Sequence, residues 1–69
     1  MNSTNVSKLK GKIVSLGMNV ESLADNIGVD RSSLYRKLNG FDKITIGEAR
    51  KIKDILGLTD EEAIDIFLT

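Results

Sequence analysis

Glycines at 17, 28, 40 and 57 cut this chain into short segments, and no proline occurs anywhere in it. Each follows an apolar run at helical spacing, where a glycine in left-handed conformation ends a helix. Val6, Leu9, Ile13 and Leu16 predict a first helix over 4–16. Asn19 is a plausible N-cap for a second over 20–27, with Leu23, Ala24 and Ile27 inward. Asp30 can cap a third over 31–39, carried inside by Leu34 and Leu38. After a polar loop, Thr45-Ile-Gly-Glu48 has the spacing of a capping box and opens a helix over 46–56. Thr59-Asp-Glu-Glu62 repeats that spacing and opens a last helix over 60–68, whose early acids suit its dipole. The alternation Ile44-Thr45-Ile46 is too brief to compete as a strand. The expected fold is all-α, five helices in a single domain spanning 1–69.

A chain of 69 residues lies near the lower limit for a self-sufficient core. Cysteine and histidine are absent, so disulfides and the zinc sites built from those ligands are excluded. Packed helices are the remaining device. The expected core is Leu9, Ile13, Leu23, Ala24, Ile27, Leu34, Leu38, Ile52, Leu56, Ile64 and Phe67. No metal or cofactor is expected.

Several function classes drop out at this level. No apolar run approaches the roughly 20 residues of a membrane span. The start, MNSTNVSKLKGK, lacks the apolar stretch of a secretory signal. A cytoplasmic protein is expected. Catalysis is not: no glycine-rich phosphate loop occurs, and Ser32-Ser33 has no histidine or cysteine to work with. The net charge is zero but unevenly spread. Residues 1–53 hold all ten Lys and Arg with five of the ten acids, leaving +5, while residues 54–69 carry −5. A basic body suits an anionic partner.

The stretch ADNIGVDRSSLYRKLNG, residues 24–40, says more. Two short helices around a glycine turn make a helix-turn-helix, whose second helix is shaped for the DNA major groove. Ala24 is small enough for the second helix to cross closely over it, and Gly28 permits the left-handed turn. The outward side of 31–39 is then free to read DNA. Arg31 and Arg36 offer forks that match guanine edges. Ser32, Ser33 and Asn39 suit phosphates or base edges, Tyr35 can donate to a phosphate, and Lys43 in the next loop suits the backbone.

The longer segment NVESLADNIGVDRSSLYRKLNG, residues 19–40, resembles the helix-turn-helix of the lambda repressor and Cro family. The likeness lies in Glu21-Ser22, Ala24-Asp25, Gly28 and the closing Asn39-Gly40, and the five-helix plan extends it over nearly the whole chain. Within that family the look is that of the small Cro-like switch proteins of temperate phages. The resemblance implies a lambda-repressor-like fold with helices two and three as the reading unit. It implies Arg31, Ser32 and Arg36 facing bases, and Ser33 and Asn39 meeting the backbone; with Asn19, Tyr35 and Lys43 these make up the expected double-stranded DNA contact. Two positions depart from the family: Val20 replaces a phosphate-binding glutamine, and Lys37 replaces a buried aliphatic.

The resemblance further implies a regulator of a lysis–lysogeny switch acting on operator DNA, with the cognate phage repressor as a second partner and a homodimer on paired half-sites. The alternative is an antirepressor that inactivates the repressor with little DNA binding of its own. Ile64, Ile66, Phe67 and Leu68, in the acidic C-terminal segment, are the candidate partner surface. Ile66 is expected to lie off the main apolar side.

Overall fold

The structure is a computed structural model that describes residues 4–68. Among them are five α-helices: α1 Val6–Ser15, α2 Val20–Ile27, α3 Arg31–Leu38, α4 Ile46–Leu56 and α5 Asp60–Phe67. They follow the expected order and lie within two residues of the expected bounds. No described residue is in a strand. No helix is long and apolar enough to cross a membrane.

The helix starts are where the side-chain chemistry puts them. Thr45 and Glu48 close the expected capping box, each side chain accepting from the other's backbone N–H at 3.1 and 2.8 Å. Thr59 and Glu62 do the same at 3.1 and 2.9 Å. Asn19 caps α2, its Oδ1 accepting from Ser22 N at 2.8 Å while Ser22 Oγ accepts from Asn19 N. Asn5 starts α1 by accepting from Lys8 N, which sets the first helical residue at Val6 rather than Thr4.

Four of the five helix ends share one device. Met18, Val29, Phe41 and Leu58, each just after a glycine, donate N–H to the carbonyls of Ile13, Ala24, Arg36 and Lys53, five residues back, at 2.9–3.0 Å. This Schellman bond turns the following hydrophobic residue back toward the helix; Leu58 is buried and Met18 and Val29 are half-buried, whereas Phe41 stays exposed. At Gly28 the device needs a φ of +74°, which a side chain resists. Leu58, absent from the expected core, is buried by this route.

Helix α2 is the centre of the packing: α1, α3 and α4 all contact it, and α5 leans on α1 and α4. Leu9, Ile13, Leu23, Ala24, Ile27, Leu34, Leu38, Ile52 and Leu56 are buried as expected, joined by Leu58 and Ile66. Helix α5 corrects the expectation. Ile66 is 4% exposed and belongs to the core, Phe67 is only half-buried, and Ile64 is 53% exposed. Two stripes on α5 have helical spacing, 63/66/67 and 64/67/68, and the first wins because α1 pulls that side inward. Asn5 N donates to the Ile66 carbonyl at 2.5 Å. Lys12 donates to Glu62, one turn before Ile66, at 3.1 Å.

Candidate nucleic-acid interface

Helices α2 and α3 are joined by the short turn Gly28-Val29-Asp30. Asp30 accepts from Ser33 N at 3.3 Å and starts α3. Leu34 and Leu38 anchor α3 in the core, so the opposite side of the helix is left to solvent. Arg31, Ser32, Tyr35, Arg36 and Asn39 are exposed there, Ser33 and Lys37 are half-buried, and Lys43 is exposed in the following loop. Asn19 is exposed at the start of α2, with its side-chain oxygen already used in capping. The expected reading residues from 31 to 43 therefore lie on α3 and its exit loop.

Their electrostatics differ from a bare basic surface. Arg31 forks onto Asp25 of α2, Nη2 to Oδ2 at 2.6 Å and Nε to Oδ1 at 3.2 Å. Arg36 Nε donates to Asp42 at 3.0 Å, and the guanidinium lies 5.7 Å from the Phe41 ring centroid. The Tyr35 hydroxyl donates to Glu21 of α2. Lys37 donates to Glu48 of α4, with both side chains largely shielded. Every cation of α3, and its phenol, thus has a carboxylate from its own chain.

The titration of these groups follows from those bonds. Arg31's hydrogen bond holds the Asp25 carboxyl below the usual carboxylate range, and Asp25 in turn raises Arg31. The Tyr35 hydroxyl lowers Glu21, and Glu21 raises the phenol. Burial alone would raise Glu48, but hydrogen bonds from Lys37 and Thr45 outweigh it and leave its carboxyl lowered. Lys37 is accommodated by this partner and by its apolar stem.

Sequence reasoning did not single out Glu21, Asp25 and Asp42 as site residues. A signal exists: Asp25 precedes Arg31 by six, and Asp42 follows Arg36 by six. It becomes legible only when the turns bringing each pair together are known. The C-terminal candidates divide. Ile66 is core, whereas Ile64, Phe67 and Leu68 line a shallow apolar groove between α4 and α5 with Ile46, Ala49 and Ala63. No group of three or more acidic, cysteine or histidine side chains able to hold a metal occurs among the described residues.

Comparisons with family models, with curated proteins and with solved structures give no match for this chain.

Proposed function

We propose that this chain is a small phage-type transcriptional regulator of a lysis–lysogeny switch, binding operator DNA through α2, the Gly28 turn and α3 as a helix-turn-helix. The observation that carries this reading is the division of α3 into an anchored and a free side. Leu34 and Leu38 are buried while Arg31, Ser32, Tyr35 and Arg36 stand in solvent on one short helix, with Asn39 exposed at its end. A reading helix needs that division, because side chains that touch base edges cannot also hold the domain together. Arg31 and Arg36 are the base-reading candidates in this proposal, and Lys43, with no carboxylate within 4.0 Å among the described residues, is the phosphate contact.

A second reading is an antirepressor that binds the cognate repressor in place of DNA. The ion pairs at Arg31 and Arg36 favour it, since phosphate must compete with carboxylates already in place. The groove along Ile46, Ile64 and Leu68 adds an apolar surface for a protein partner.

One experiment separates the two: titrating labelled promoter DNA and purified repressor separately at physiological salt. Operator binding well below the micromolar range of non-specific contacts supports the regulator. Tight binding of repressor alone supports the antirepressor. Binding of neither overturns both.

A further inference from the structure

The basic body, residues 1–53, contains five acids: Glu21, Asp25, Asp30, Asp42 and Glu48. Asp30 and Glu48 are occupied in starting helices α3 and α4. The other three cap no helix, come from two different elements, and all converge on α3. Glu21 takes the Tyr35 hydroxyl, Asp25 takes both the Nε and Nη2 donors of Arg31, and Asp42 takes Arg36 Nε at 3.0 Å. From this convergence we infer that Glu21, Asp25 and Asp42 are specificity-determining residues, which hold the α3 face back from duplex phosphate and so set what that face accepts. The inference rests on the reading of α3 as a nucleic-acid face.

The physical argument is competition plus repulsion. Arg31, held side-on through Nε and Nη2, and Arg36, held through Nε, offer guanine or phosphate fewer of their paired donors. The duplex must displace the carboxylate first, and the displaced anion stays within a Debye length of the incoming phosphates. Exposed pairs of this kind are individually weak, so each withholds roughly two- to fivefold in affinity, and three together compound to about tenfold or more. A ligand that brings a cation and an anion to each pair escapes that penalty. A folded protein surface can do so, and a duplex cannot.

The test removes the carboxylates without touching a reading residue. In the triple variant E21Q/D25N/D42N, affinity for a random-sequence duplex at physiological salt should rise at least about tenfold, and its salt dependence should steepen by about two phosphate contacts. Net charge is controlled by D54N/E61Q/D65N, which removes three charges away from α3, Asp65 from an exposed pair with Lys8, and should gain no more than about threefold. The single variants D25N and D42N, each mild at an exposed site, should gain roughly two- to fivefold. Thermal melts of all four establish that each is folded. Equal gains in the two triple variants would make net charge the cause and overturn the inference alone. No gain in the α3-facing variant, with operator binding intact in the parent chain, would also overturn the inference alone. Absence of duplex binding in every variant and the parent would overturn the nucleic-acid reading together with it.

Discussion

Lys37 on α3 and Glu48 on α4 form the most shielded ion pair of the protein's described residues, and the same carboxylate closes a helix cap. One oxygen of Glu48 accepts from Lys37 while the other accepts from Thr45 N at 2.8 Å. A single side chain therefore joins the α3 face to the start of α4 and satisfies a backbone donor that would otherwise be unpaired.

That double role has a pH signature. Hydrogen bonding lowers the folded carboxyl of Glu48 below its ordinary value of 4.5. The group's contribution to stability is then complete above that ordinary value and is lost as pH falls through the lower folded value. Glu48→Gln, whose amide oxygen can still accept from Thr45 N, should cost about 1–3 kcal/mol at pH 7 because it strands the Lys37 cation. Its melting temperature should also fall less steeply than the parent's as pH falls below 4.5. Melts across that range check both the offset and the slope.

Gly28 tests the turn. Its φ is +74°, and a Cβ built there would meet nothing within 4 Å. Any cost of Gly28→Ala is consequently backbone strain and not collision, about 1 kcal/mol or more. An unchanged urea midpoint would refute the left-handed turn between α2 and α3.

The orientation of α5 is tested by two neighbouring isoleucines. Ile66→Ala removes a core side chain and should cost about 2–4 kcal/mol, within the usual range for a buried isoleucine. Ile64→Ala, at a position 53% exposed, should cost under about 1 kcal/mol. Chemical denaturation of the two variants gives the comparison, and a reversal of the order would rotate the helix.

Operator binding, if the proposed reading holds, divides the α3 residues by kind. Arg31→Ala and Arg36→Ala should each lose about 1–3 kcal/mol on a specific site and little on random DNA. Lys43→Ala should weaken both alike and reduce the salt slope by about one. Gel shifts on paired specific and scrambled duplexes distinguish the patterns, and uniform losses for all three would remove base reading.

The extent to which these properties were legible beforehand depended on the range of the interaction. Caps and stops act over three to five residues, so Asn19, Asp30, Thr45 and Thr59 located four helix starts from the chain alone. The glycine ends were legible for the same reason, and the burial of Leu58 after Gly57 follows from the bond it makes to Lys53. On α2 and α3 one apolar stripe dominates, and Leu23, Ile27, Leu34 and Leu38 were accordingly identifiable as core.

Helix α5 offered two stripes of equal periodicity, and local preference had no means of choosing between them. Contact with α1, through Asn5 and Lys12, made Ile66 core and left Ile64 in solvent. The electrostatics of the α3 face were decided the same way. The sequence determined that Arg31, Tyr35, Arg36 and Lys37 would share a short polar helix, because helical periodicity is a local property. Only the tertiary structure decided that Glu21, Asp25, Asp42 and Glu48 would meet them, because those pairs span turns and separate helices. Coulombic contacts depend on distance in space, which spacing along a chain does not supply until the turns are in place.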